Sequence, residues 1–406
     1  MNKYWLLIVL GVSGGAHAQV SDSLDIKIGQ MILIGMPKAE VDSSVLEEVR
    51  SGKVGSLIYF EKNIPKSSSA FAAFKKMSWS YQKAAPIPLF ICIDQEGGKV
   101  NRLKEKYGFT RSITAAAIGK FKSLDSVRFY AEATAATLAG LGINVNFAPC
   151  VDVAINPANP VIVKAERAYS SNADSVTWFA KEVVKQHRKF GVVTALKHFP
   201  GHGSSKDDTH LGLADVTNTW TAIELKPYQA MIDSGFVDAV MTSHIVNKKL
   251  DHSALPGTLS KPILDSLLRG KMKFDGVIFS DDMQMKAIAS NYGLEEAIKL
   301  AVNAGVDIMC FSNNIQGVEG RTVAKVHGVI KRFVASGEIS ATRIDQSFRR
   351  VMKLKKSIGQ PEVMKLKAQN EKLNKLNEQQ ITELKKASEQ IQLLTPKKKS
   401  RKKSKK

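Results

Sequence analysis

From Lys197 to His210 the chain reads Lys-His-Phe-Pro-Gly-His-Gly-Ser-Ser-Lys-Asp-Asp-Thr-His, and three of the eight histidines of the whole sequence fall in this stretch. Pro200, Gly201 and Gly203 exclude a helix and permit tight turns. Lys197 and His198 therefore close an extended run, and the rest is a long loop, the kind of segment on which catalytic groups gather. Asp208 and His210 stand two apart, which in extended backbone puts both side chains on one side. A carboxylate bonded to an imidazole fixes its tautomer and makes it a stronger base. Such a pair can protonate a leaving oxygen and later take a proton from water. His198, His202 and His210 show no helical His-x-x-x-His spacing and no cysteine partner, so a metal site is the weaker reading of this loop.

Three further segments carry groups of the same kind. Val277–Met283 is an apolar strand that ends abruptly in Asp281 and Asp282. One carboxylate is expected to face a strand-end pocket, the other to cap the next helix or pair with a cation. Ile93–Arg102 contains Asp94, a Gly97-Gly98 turn and Arg102, an acceptor and a donor of the geometry that holds sugar hydroxyls. It lacks the glycine spacing of a phosphate loop. Glu166-Arg167-Ala168-Tyr169 brings one arginine into a loop, where a surface salt bridge is the plainer reading.

Short apolar runs recur along the chain: Met31–Gly35, Val54–Phe60, Leu89–Ile93, Ile143–Phe147, Val192–Lys197, Ala239–Thr242, Val277–Ser280 and Asp307–Phe311. They are continuous rather than alternating, as in parallel strands buried on both faces. Helical patterns separate most of them. Eight strand-then-helix units predict an α/β fold of the (β/α)8 TIM-barrel type in a single catalytic domain; an open doubly wound sheet is the alternative. Asp94 follows the third run, Pro149 and Asp152 the fourth, His198 the fifth, His244 the sixth, Asp281 the seventh and Asn313 the eighth. A barrel would gather these on the face formed by the C-terminal ends of its strands. Cys92, Cys150 and Cys310 lie in apolar runs and read as core residues.

Together the segments resemble glycoside hydrolase family 3, in its β-N-acetylglucosaminidase (β-hexosaminidase) branch. The match runs in order through Ile93–Arg102, Asn146–Val153, Glu166–Ser170, Lys197–His210, Met241–Ile245, Gly276–Met283 and Arg343–Arg350. The resemblance implies an exo-acting retaining glycosidase without cofactor or metal. It makes Asp281 the nucleophile, His210 the acid/base and Asp208 its partner. It also places Asp94, Arg102, Arg167, Lys197 and His198 around a terminal N-acetylglucosamine. Lys99, Ala168 and Thr209 depart from the usual pattern without removing a group from this chemistry. A β-glucosidase or phosphorylase of the same fold and a non-catalytic envelope-binding protein are the rival readings. The neutral imidazole acid/base is what admits phosphate as an acceptor.

The ends of the 406-residue chain read differently from its middle. Lys3, the apolar Leu6–Val12 and Ala16-His17-Ala18 have the layout of a signal peptide cleaved after residue 18. Export to a periplasm or the medium is therefore expected, with no transmembrane segment left in the mature chain. The barrel is expected over residues 19–360, an amphipathic helical tail over 361–396 and a disordered basic tail over 397–406. Formal net charge is +21, and eight of the last ten residues are Lys or Arg. An exported chain seldom meets nucleic acid, so an anionic envelope polymer or a membrane surface is the expected partner of this tail, with a solvated tail that has no dedicated partner as the equal alternative.

Overall fold

The structure, a computed structural model, describes residues 23–67, 69–314, 323–358 and 382. Eight strands correspond to the eight apolar runs: β1 (Ile32–Gly35), β2 (Ser56–Tyr59), β3 (Phe90–Ile93), β4 (Val145–Asn146), β5 (Val193–Phe199), β7 (Ala239–Thr242), β9 (Val277–Asp282) and β10 (Ile308–Phe311). Two short strands, β6 (Ala214–Asp215) and β8 (Ile245–Val246), pair with each other outside this set. Every residue of the eight is buried except Asp281 and Asp282, as expected of strands covered on both faces.

All eight run parallel in the order β1-β10-β9-β7-β5-β4-β3-β2. The pairing of Leu33 with Cys310 closes the ring and excludes the open sheet. Inside it, Phe90, Phe147 and Phe279 meet edge-on in a packed core. Outside it, a larger apolar layer separates strands from helices, to which Val127, Ala131, Leu138 and Leu141 of the helix Leu124–Leu141 contribute. The helix Ala341–Ile358 closes the bottom of the barrel: Val351 joins the inner core and Lys355 Nζ donates to Gly55 O and Gln30 Oε1. Cys92, Cys150 and Cys310 are buried free thiols. No helix among the described residues is long and apolar enough to cross a membrane. The expected leader at residues 1–18 and the tails at 361–396 and 397–406 lie outside the described residues, apart from Thr382.

The loop that follows β5 is shaped by what it touches. A Cβ on Gly203 would lie 1.8 Å from Val153 O, and one on Gly201, whose φ is +115°, would lie 2.5 Å from Glu224 Cβ. Only glycine satisfies both positions, so the turn at Pro200–Gly203 is held against the loop after β4 and against Glu224. Ala214 and Ile245 of the small β6–β8 sheet pack with Val216 and Trp220 and fix the far end of the same loop.

Candidate active site

Asp94, Arg102, Arg167, Lys197, His198, His210 and Asp281 all line one pocket of about 300 Å³ at the C-terminal ends of the strands. Residues separated by nearly two hundred positions thus converge, as a barrel requires. Asp208 is not on that lining; it stands behind His210, with its Oδ1 2.6 Å from His210 Nδ1. The same oxygen accepts the His210 backbone N–H at 2.8 Å. This double grip points the free Nε2 of His210 away from Asp208. The His210 side chain is 61% exposed, so the pair sits at the pocket mouth.

The floor is a chain of alternating charges. Arg167 grips Glu96 with two parallel bonds, Nη2 to Oε1 at 2.7 Å and Nε to Oε2 at 2.9 Å. Lys197, 2% exposed, reaches Glu96 Oε1 at 2.6 Å and Asp94 Oδ1 at 2.8 Å. Arg102 lies 3.5 Å from the other oxygen of Asp94 and over the Phe60 ring. Burial alone would raise the pKa values of Asp94 and Glu96, but Lys197 with Arg102, and Arg167 with Lys197, outweigh it and hold both below the usual carboxylate range. Burial would likewise strip Lys197 of its proton, and the two carboxylates keep it charged.

His198 is oriented from both sides. Arg167 Nη2 lies 3.0 Å from His198 Nε2, and a guanidinium can only donate, so Nε2 accepts and the ring proton sits on Nδ1. That proton goes to Asp152 Oδ2 at 2.7 Å. Asp152 also accepts from the backbone N–H of His198 and His202 and from the Cys150 thiol. Burial pushes the Asp152 carboxyl up, but His198 and His202 draw it well below its ordinary value. Cys150, Asp152 and His198 place three possible metal ligand atoms within 4.8 Å of one another. Each of the three already takes part in these hydrogen bonds, so the arrangement is accounted for by orientation of His198.

Asp281, next to last in β9, faces the pocket. Its Oδ1 accepts the Asp282 N–H at 2.8 Å, and its own N–H donates to Thr242 Oγ1. Behind it runs Thr242 to Thr258 to His244, and His244 Nε2 must donate to the Asp282 carbonyl, 2.9 Å away. Burial raises the Asp281 carboxyl, and the surrounding His244, His198 and His210 more than reverse this, so it stays below its ordinary value. Asp282 behaves differently from the expectation: it neither caps a helix nor meets a cation. It accepts from the Ser312 hydroxyl and from the N–H of Ser312 and Gln284, tying the loops after β9 and β10 together. Burial pushes its carboxyl up to about 6.

Arg167 is also not the surface pair that its segment suggested; its side chain is 11% exposed and paired with the buried Glu96. Sequence reasoning gave no role to Glu96, Asp152 or the Thr242–Thr258–His244 chain. Glu96 had a signal, since it lies two residues beyond Asp94 and so on the same side of extended backbone. Lys99, where arginine is usual, donates to Lys164 O, a contact that one amine can make. Thr209 stays in reach of His202, with 3.5 Å between its hydroxyl and Nε2.

A closed parallel barrel whose strand-end pocket is lined both by a carboxylate and by an imidazole bonded to a second carboxylate holds the groups that acid/base and nucleophilic chemistry require. The profile of the glycosyl hydrolase family 3 N-terminal domain matches residues 23–354, and the chain belongs to that family. A β-hexosaminidase of Xanthomonas oryzae pv. oryzae is 30% identical over 335 residues, which is 78% of this chain and 96% of that protein. A family 3 β-N-acetylglucosaminidase structure from a Paenibacillus species superposes with a TM-score of 0.77 at 34% identity, covering 83% of this chain and 63% of that one. A β-N-acetylhexosaminidase from Beutenbergia cavernae gives 0.73 at 28% identity over 82% and 98% of the two chains.

Proposed function

We propose that this chain is an exo-acting retaining β-N-acetylglucosaminidase. The observation that carries the proposal is that Asp281 and His210 share one pocket of about 300 Å³ whose floor is lined with fixed donors and acceptors. That volume is at the low end for ligand sites and suits one sugar ring rather than a chain, which fits removal of a terminal residue. Asp94, Arg102, Arg167, Lys197 and His198 offer the sugar both donors and acceptors whose geometry is fixed by their own ion pairs.

In the first step His210 gives its proton to the glycosidic oxygen as the bond to the leaving group breaks. The Asp281 carboxylate attacks the anomeric carbon and forms a glycosyl ester. In the second step His210, now lacking that proton, takes one from water. The water oxygen bonds to the anomeric carbon and the ester oxygen leaves with its electron pair, so configuration is retained. Asp208 holds His210 in the required tautomer throughout. Asp281, held below its ordinary carboxyl value with His244 foremost among the imidazoles around it, is ionised and ready to attack.

Export is part of the proposal, supported by the leader-like pattern at residues 1–18. Terminal N-acetylglucosamine on peptidoglycan fragments is the first choice of substrate and chito-oligosaccharides the second. The basic 397–406 segment would attract an anionic envelope polymer. The test is chromophore release from a β-N-acetylglucosaminide and from the matching β-glucoside, each with and without phosphate. Turnover of the first alone is expected. Preference for the glucoside refutes the specificity, and a sugar phosphate product would make the enzyme a phosphorylase.

A further inference from the structure

Two buried carboxyl groups hold the Pro200–Gly203 turn, and they are built as opposites. Asp152 accepts four donors and faces the His198 and His202 side chains. Glu224, from the short helical turn Ala222–Leu225, has no exposed surface; it accepts the Gly203 N–H at 2.7 Å, and the Ser204 N–H also acts on its carboxyl. Among the described residues no Lys, Arg or His forms an ion pair with it. Its Oε1 has no hydrogen-bond partner in the protein. The Ser204 hydroxyl lies close enough to act on it without a well-formed bond, and the buried Tyr228 hydroxyl, likewise unpartnered, lies in the same neighbourhood as Asp152 and Glu224.

We propose that Glu224 works as a neutral carboxylic acid and is a positioning residue for the acid/base loop. Its carbonyl oxygen holds the Gly203 amide while its O–H turns to the Ser204 or Tyr228 hydroxyl. It thereby fixes the segment between His198, on the pocket floor, and the Asp208–His210 pair. The crowding of Gly201 against Glu224 Cβ and Oε2 leaves the loop no second seat. Burial first, and then the charge of Asp152, push the carboxyl up to about 8, consistent with a protonated group at neutral pH. The titratable groups facing it are Asp152 from the loop after β4 and Tyr228 from the helix Lys226–Asp233. Asp152 repels a carboxylate there, and among the described residues no cation pairs with Glu224 to offset that charge. Loss of the Glu224 proton therefore leaves an uncompensated buried charge beside Asp152, which disturbs the turn and the pair that it carries.

This inference rests on the N-acetylglucosaminidase reading, and it can fail separately. The experiment compares wild type, Glu224→Gln and Glu224→Ala by kcat/KM against pH on a chromogenic β-N-acetylglucosaminide. Ala should lose about tenfold or more near pH 6.5, as expected for a lost buried hydrogen bond, and Gln should restore most of it, since an amide copies a neutral acid. On the alkaline side, wild type should fall with the loss of two protons, one from Glu224 and one from the acid/base, and Gln with the loss of one. A Gln variant as impaired as Ala, or an alkaline limb unchanged by Gln, overturns the inference. An infrared measurement on wild type is independent of folding variants and of activity. The band of a protonated carboxyl group should persist at pH 7 and vanish by about pH 9. Its absence at pH 7 overturns the inference even if the enzyme turns over; an inactive wild type that shows the band sinks only the functional reading.

Discussion

Replacing Glu96 by Gln tests the electrostatics of the pocket floor. The Glu96 carboxylate is 4% exposed, and both its oxygens are taken, by Arg167 at 2.7 and 2.9 Å and by Lys197 at 2.6 Å. Glutamine keeps the shape but offers one acceptor oxygen, and its NH₂ would face a guanidinium or an ammonium. Neutralising one partner of a buried, hydrogen-bonded ion pair costs about 3–5 kcal/mol, because the other charges are left uncompensated. Urea unfolding at pH 7 should show a gap of that size between wild type and variant. The sign of its pH dependence follows from the depressed Glu96 value. The carboxylate contributes fully above its ordinary 4.5, and the contribution fades as pH falls toward the lower folded-state value. The gap should therefore narrow below pH 4.5. kcat/KM should fall at least ~100-fold, since Lys197 and Arg167 lose their common anchor. A gap under about 1 kcal/mol at pH 7, or one that stays constant down to pH 3, would refute this account of the floor.

Two predictions concern the opposite end of the barrel. Asp307, with no exposed surface, accepts from Arg269, Arg343, Ser347 and the Ile278 N–H. Asp307→Asn should lower stability by about 3–5 kcal/mol in urea unfolding while leaving KM within about twofold at low temperature. Burial pushes the Lys355 ammonium from its ordinary 10.5 down to about 7. An amine whose folded value lies below its unfolded value favours folding more as pH rises between the two. Wild-type stability should thus gain from Lys355 between pH 7 and 10.5, by up to ~1.4 kcal/mol per pH unit. Lys355→Met should lack that gain, and equal slopes for the two proteins would remove Lys355 as its source.

The barrel was legible because strands covered on both faces are apolar throughout, so each left a continuous run that a half-exposed strand would not leave and that is too short for a buried helix. Closure was not written in any one run. It depends on β1 meeting β10, and the Leu33–Cys310 pairing supplies it. That a carboxylate at the end of β9 enters the pocket was legible from an apolar strand ending in Asp281-Asp282, but the choice of Asp281 over Asp282 came from the family resemblance and not from the strand itself. The role of Arg167 was not legible from its own segment, since its partner Glu96 lies 71 residues away and only the fold brings the two together. Glu224 left no signal either: it sits in a mixed segment, and its significance comes from the glycines of a loop 21 residues earlier.

The most direct test of the central claim is to trap the glycosyl–enzyme. A fluorinated N-acetylglucosaminide with a good leaving group should load the enzyme faster than the ester is hydrolysed. Acid quenching, digestion and mass spectrometry would then locate the sugar. One equivalent is expected on Asp281, none in Asp281→Asn, and accumulation that depends on the leaving group in His210→Ala. An adduct on Asp94 or Asp282, or full turnover by Asp281→Asn, would contradict the assignment of Asp281 as the nucleophile.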